Sequence, residues 1–146
     1  IKKNFNPAIG DRKAEEVKIK IGAAVMLEEE LRVTIKGRDF IQGLPRSAQV
    51  GTNEIVKAID AELKQIVKAI KDVLQETPPE LASDIIDHGI IMTGGSSQLR
   101  NLTDLVYRKT GVKATLAEDA LYCVVKGTGI ALDHLDVYKK AVLSKK

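Results

Sequence analysis

Gly89-Ile90-Ile91-Met92-Thr93-Gly94-Gly95-Ser96-Ser97 is the stretch on which the reading of the chain turns. Its short continuous apolar run is the pattern of a strand buried on both faces, as in a parallel sheet, and it ends in paired glycines. A helix is predicted directly after the glycines, carrying Leu99, Leu102, Leu105 and Val106 and stopping at Gly111. Val112 to Leu116 then reads as a second buried strand. Strand, glycine turn, helix and strand make one βαβ unit with a right-handed crossover, which places the chain in the α/β class. Gly94-Gly95 at the carboxyl end of such a strand lets backbone approach a flat or anionic ligand, in the crevice where open α/β sheets bind. The free N–H groups of the following helix would point the same way. Neither Gly-x-Gly-x-x-Gly nor Gly-Lys-Ser/Thr occurs, so on these residues alone a plain tight βα turn is the simpler reading.

Downstream, a last helix is predicted from about Ala120 to Leu135, with Leu121, Val124, Val125, Leu132 and Leu135 on one face and Gly127 and Gly129 allowing close approach. Upstream, Thr77-Pro78-Pro79-Glu80 reads as a capping box with Pro at the first helical position, opening a short helix through Leu81, Ile85 and Ile86. Before it, Thr52 is expected to cap one long helix whose stripe of Ile55, Ile59, Leu63, Ile66, Ile70, Val73 and Leu74 packs along most of its length. The alternation from Leu31 to Ile35, a turn at Lys36-Gly37-Arg38-Asp39 and a return through Ser47 to Val50 predict a small hairpin. Asp11 is read as the cap of a first helix, with Glu15 and Glu16 near its positive end and Ala14, Val17 and Ile21 at helical spacing. Residues 1–10 have no clear period and begin without an initiator Met, which suggests an excised stretch of a longer chain.

Composition narrows the function classes. The 146 residues are 44% apolar and 29% charged, enough for a core and wrong for a disordered or membrane-spanning chain. The net charge of +3 is spread along the sequence, with only a short basic end at Lys145-Lys146. At 3% aromatic residues and no Trp, stacking platforms for single-stranded nucleic acid are scarce, so no nucleic-acid partner is expected. The single cysteine, Cys123, allows no internal disulfide, which fits a reducing, cytoplasmic setting. No apolar run approaches the roughly 20 residues of a membrane span, so any membrane contact is expected to be peripheral.

Few side chains stand out chemically. Glu15 and Lys18 share one helix face and are able to meet a ribose or a base edge, though on these residues alone an ordinary solvated pair is the simpler reading. His88 and His134 lack a second ligand at metal spacing, and Cys123 lacks a neighbouring base. Asp84, Asp87, Glu118 and Asp119 are explained by helix termini. No metal ligand and no catalytic residue is assigned.

Several separated segments, however, resemble the MreB family of bacterial actin homologues. They are Ile9-Gly10-Asp11-Arg12-Lys13-Ala14-Glu15-Glu16-Val17-Lys18-Ile19-Lys20-Ile21-Gly22, Lys36-Gly37-Arg38-Asp39, Gly43-Leu44-Pro45, Thr77-Pro78-Pro79-Glu80-Leu81-Ala82-Ser83-Asp84-Ile85, Met92-Thr93-Gly94-Gly95 and Lys126-Gly127-Thr128-Gly129. The resemblance runs from about Ile9 to Leu132 in the family's order. It implies a carboxyl-terminal fragment of an actin-like (ribonuclease-H-like) ATPase covering part of the second large domain. Residues 1–60 would form most of a small α+β outer subdomain and residues 61–146 the inner subdomain with the adenosine side of the nucleotide site. By the family's pattern Glu15, Glu16 and Lys18 would lie by adenine and ribose, and Gly94, Gly95, Ser96 and Ser97 would form the adenosine loop.

The implied cofactor is ATP or ADP with Mg2+, and the implied partners are further copies in a filament, the membrane surface and the cell-wall elongation machinery. The implied role is maintenance of cell shape at the cytoplasmic face of the membrane. Ser96 stands where the family commonly has a third glycine, so the loop requires Ser96 to keep negative φ. The family's phosphate loops, magnesium-binding Asp and water-positioning residue precede this stretch and have no counterpart in it. Since phosphoryl transfer depends on positioning and charge stabilisation around the phosphates, the chain alone is not expected to hydrolyse ATP. A small-molecule kinase of the same superfamily and a non-filament division or pilus adaptor are alternatives, and the insert around Lys36 to Pro45 fits the MreB-like reading better than either; a βα domain with no nucleotide is a third, favoured only if Glu15 and Gly94 lie far apart.

Overall fold

The computed structural model describes residues 7–39 and 41–143. Expectations placed on residues 1–6 and on the Lys145-Lys146 end lie outside them. Strands β1 (Pro7–Ala8), β2 (Arg32–Asp39) and β3 (Pro45–Gly51) form an antiparallel sheet in that order. Register pairs Val33 with Val50 and Ile35 with Ala48, so alternate β2 side chains face inward. Helix α1 (Asp11–Ile21) supplies Val17 and Ile21 to the same core, where they meet Ile35, Val50 and Ile55. Ile35, at 0% exposure, lies at its centre.

Two local expectations change here. The α1 cap is Gly10, which has no side-chain hydrogen bond to offer, and Asp11 is the first helical residue, where its charge still faces the positive end of the helix. The hairpin also turns later than predicted. Lys36, Gly37 and Arg38 remain in β2, paired with Ser47, Arg46 and Pro45. Asp39 closes the strand because its side chain satisfies the turn: Oδ1 accepts N–H from Ile41 (2.8 Å) and Gln42 (3.0 Å), and Oδ2 accepts from the Arg46 guanidinium at 2.8 Å. The Gln42 N–H first, then Arg46 and the Ile41 N–H, hold the Asp39 carboxyl down at about 2.

The predicted long helix is two: α2 (Thr52–Ala58) and α3 (Asp60–Glu76), broken at Ile59 with φ −107° and ψ 9°. Ile59 packs against both the α1/β-sheet core and a second cluster of Ala24, Leu63 and Leu102, and a straight helix would present it to one side only. Thr52 is the first residue of α2 and not its cap; its hydroxyl donates to the Leu31 carbonyl at 3.2 Å. The next residue, Asn53, brackets Leu27, accepting its N–H at 2.9 Å and donating to its carbonyl at 3.0 Å. Packing along α3 is narrower than the stripe predicts: Leu63 and Val67 are buried, whereas Ile66 and Val73 are exposed.

Helix α4 (Pro79–His88) begins with Pro at its first position as expected, but the capping box does not form. The Thr77 hydroxyl turns back to the Val73 carbonyl at 2.8 Å, ending α3 instead of starting α4. Gly89 (φ +79°) then leads into β4 (Ile90–Met92), and a Cβ there would stand 2.5 Å from the Lys113 carbonyl oxygen, so only glycine fits. β4 pairs in parallel with β5 (Ala114–Leu116), joined by α5 (Leu102–Thr110), which ends at a left-handed Gly111. The βαβ unit is present, with Leu102 and Val106 buried. Its strands are not covered on both faces: Ile91 is 70% exposed and Leu116 is 46% exposed.

The last predicted helix is a 3₁₀ turn, Ala120–Tyr122, followed by α6 (Cys123–Asp133) and α7 (Leu135–Leu143), with a break at His134. No residue of α6 is buried, and the space beside Gly127 and Gly129 is open to 4 Å. The close approach expected at those glycines is therefore not made among the described residues, because no described element packs on that face.

Candidate functional site

Past the carboxyl end of β4 the chain makes the glycine turn. Gly94 takes φ +87° and ψ 164°, a region essentially reserved for glycine, and a Cβ there would meet nothing within 4 Å. Its N–H donates to the Ala120 carbonyl at 2.7 Å. From below, its own carbonyl accepts the Ser97 N–H at 3.2 Å and the Ser97 hydroxyl at 2.5 Å. The result is a turn in which the Gly94 N–H and carbonyl are both satisfied within the protein while the space beside its Cα stays open.

Residues Gly95–Gln98 form one 3₁₀ turn, and α5 starts only at Leu102, after a left-handed Asn101. The helix predicted to follow the glycines directly is thus displaced, and its N-terminal N–H groups do not open from the glycines themselves. Asn101 and Asp119 are the non-glycine residues with positive φ among those described, so Ser96 keeps the negative φ that the loop requires. Ser96 is exposed on the turn, whereas Ser97 is buried beneath it.

Helix α1 reaches this region at its carboxyl end. Ala23 forms a parallel bridge with Arg100, the Ala24 N–H donates to the Arg100 carbonyl at 2.8 Å, and Leu99 Cδ1 lies 3.1 Å from where a Gly22 Cβ would stand. The segment leaving the glycine turn is therefore fastened to the end of α1. Lys18 lies about one helical turn back from that junction and Glu15 about two. All three predicted side chains on α1 are exposed. Glu16 is engaged by Lys13 at 2.7 Å and by Arg12 at 3.7 Å. Among the described residues, Glu15 and Lys18 take part in no ion pair.

The remaining candidates offer less. His88 Nδ1 lies 3.0 Å from the Asp84 carbonyl, Asp119 pairs with Lys126, and the Cys123 thiol faces the carbonyls of Glu118 (3.6 Å) and Asp119 (3.7 Å). No group of three or more His, Cys, Asp or Glu able to hold a metal occurs among the described residues. A polar hollow of about 220 Å³ lined by Glu30, Arg32, Gln49, Gly51 and Glu54 has its carboxylates committed: Glu30 to the Asn53 N–H and Arg32, Glu54 to the Gly51 N–H. Sequence reasoning missed Ala120 and Leu121 as parts of the glycine turn. Leu121 Cδ1 sits 3.3 Å from the position of a Gly95 Cβ, a contact across 26 residues that no local pattern signals.

An antiparallel outer sheet joined through α1 to a parallel βα unit with a glycine turn is the arrangement of an actin-like protein. A structure of the MamK double helical filament superposes with a TM-score of 0.67 at 22% identity, covering 83% of this chain and 37% of that one. A family model described as MreB/Mbl protein matches residues 1–140, and the chain belongs to that family. It is 40% identical over 144 residues to the cell shape-determining protein Mbl of Bacillus subtilis, covering 99% of this chain and 43% of the relative. To the cell shape-determining protein MreB of Escherichia coli K12 it is 39% identical, covering 94% of this chain and 40% of the relative. The crystal structure of MreB5 of Spiroplasma citri bound to ADP matches with a TM-score of 0.86 at 34% identity, over 99% of this chain and 43% of that chain. The chain thus spans about two fifths of the length of the relatives it matches.

Proposed function

We propose that this chain is the adenosine-side part of an actin-like, nucleotide-binding filament protein that maintains cell shape. The observation that carries the reading is the glycine turn at the end of β4, open above Gly94 and fastened through Leu99 and Arg100 to the end of α1. One bare backbone surface and one charged helix face are then linked through the Ala23–Arg100 bridge and the Ala24–Arg100 hydrogen bond. Gly94 and Gly95 give the base its backbone face, with Ser96 on the exposed turn and Ser97 holding the turn from inside. Glu15 and Lys18, in no ion pair among the described residues, are the groups for ribose hydroxyls or the base edge, and Glu16, shared with Lys13 and Arg12, lies beside them.

The open space beside Gly94 supports a nucleotide as the ligand of this turn. Magnesium does not find a ligand set among the described residues, so its place in this reading is with the phosphates and with protein outside this stretch. The chain contributes the adenosine side of the binding surface, and phosphoryl transfer belongs to the longer protein. The relatives' names support the cell-shape role, and the MamK filament supports self-association through the same fold. No described helix is long and apolar enough to cross a membrane. The proposed seat of the longer protein is peripheral, at the inner membrane face next to the cell-wall elongation machinery. The proposed division into residues 1–60 and 61–146 is supported by the first hydrophobic cluster, drawn wholly from residues 1–60, while the second joins Ala24 to Leu63 and Leu102 across that boundary.

The test is ATP titration and sedimentation of the complete gene product beside this chain. Binding and pelleting by the full protein, with neither by the chain, supports the proposal. A full protein that binds ATP, stays monomeric and phosphorylates a small molecule overturns the filament role. One that binds no nucleotide overturns the site as well.

A further inference from the structure

The glycine turn has a neighbour that the nucleotide reading does not use. Ala120, 2% exposed, is buried against the turn and accepts the Gly94 N–H at 2.7 Å, which pins the 3₁₀ turn Ala120–Tyr122 to the glycines. Left-handed Asp119, ion-paired to Lys126, starts that 3₁₀ turn, and the Tyr122 N–H closes it onto the Asp119 carbonyl at 2.7 Å. Held in this way, the next side chain, Leu121, touches Gly95, with Cδ1 3.3 Å from the position a Cβ would take. Leu121 nevertheless remains 55% exposed. An apolar side chain held between buried Ala120 and a closed 3₁₀ turn, half uncovered, and set against bare glycine backbone is a ready contact for the edge or face of a flat ring.

We infer that Leu121 is the apolar wall of the base slot beside Gly95, a positioning residue that sets affinity for the heteroaromatic base and not for the phosphates. The inference rests on the nucleotide reading and extends it to a residue 26 positions away in sequence. Covering the open half of a leucine side chain corresponds to roughly a fivefold gain in affinity. An alanine at Gly95 would push on the same Leu121 methyl, and a surface side chain has room to yield. Gly95→Ala therefore perturbs the slot without breaking the turn.

The experiment is calorimetric titration of the complete gene product with ATP and with inorganic tripolyphosphate, for wild type, Leu121→Ala, Leu121→Met and Gly95→Ala. In wild type, the leucine methyl resonances are followed by NMR during the same additions. The expected result is about fivefold weaker ATP binding for Leu121→Ala, less than twofold change for Leu121→Met, and tripolyphosphate binding unaltered in both. The Leu121 methyl signals should move under the ring current of ATP and stay still with tripolyphosphate, a readout that needs no variant to fold. Unchanged ATP affinity in Leu121→Ala with weakened binding in Gly95→Ala overturns the wall and leaves the nucleotide site standing. Equal loss for ATP and tripolyphosphate also overturns it, since the effect is then not on the base. Absence of ATP binding in wild type overturns the site and the wall together.

Discussion

The two sheets of this molecule are built on opposite terms. The antiparallel sheet β1-β2-β3 closes its own core, with α1 and α2 covering one face and Val17, Ile35, Val50 and Thr52 almost wholly removed from water. The parallel pair β4–β5 is covered on one side by α5, while Ile91, Leu116 and the apolar residues of α6 face outward. Parallel strands are normally buried on both faces. The contrast separates a region whose stability is local from one that holds the candidate ligand surface at its open end.

Substitutions should therefore act unequally. Ile35→Ala empties the centre of the closed core and should cost about 2–5 kcal/mol in urea unfolding. A loss below about 1 kcal/mol would contradict the packing described. Gly94→Val forces a branched side chain into glycine-only backbone and should destabilise by about 1–3 kcal/mol. Its effect on nucleotide binding would be mixed with that strain, which makes Gly95→Ala the cleaner probe of the ligand surface. Hydrogen exchange at Ser97, whose N–H bonds the Gly94 carbonyl, would report the loosened turn.

Asp39 tests the closed sheet by pH. Its carboxyl is held at about 2, below the ordinary 3.8, so the ionised form is bound more tightly in the folded chain. The stability it contributes is complete above about pH 4 and is lost as pH falls toward 2. Asp39→Asn should flatten that acid limb of the melting temperature against pH, and an unchanged limb would remove Asp39 from its cause. The smallest effect is expected at Ile91→Ser on the open face of β4, within about 0.5 kcal/mol for this chain. A cost as large as that of Ile35→Ala would show that the open face is covered in solution.

The site was legible in part. The run Ile90 to Thr93 followed by Gly94-Gly95 marks a strand end and a glycine turn, because short apolar strands and tight βα turns leave those residues in those places. Leu121 and Ala120 were not legible as its neighbours, since a helix-period reading assigned Leu121 to the face of a helix that in fact begins at Cys123. Ser97 was read as part of a ligand loop, and only its burial and its bond to Gly94 reveal the supporting role.

Sequence by itself determined what depends on neighbours along the chain: the start of α4 at Pro79, the stop of α5 at Gly111, the alternation of β2 and the glycine turn. These follow from φ preferences and side-chain period, which act over a few residues. Tertiary structure decided the break at Ile59, the late hairpin turn held by Asp39 and Arg46, and the pinning of Gly94 by Ala120. An apolar residue announces that it prefers to leave water, but what lies opposite it is set by contacts distant in sequence. Periodicity carries no information about those contacts.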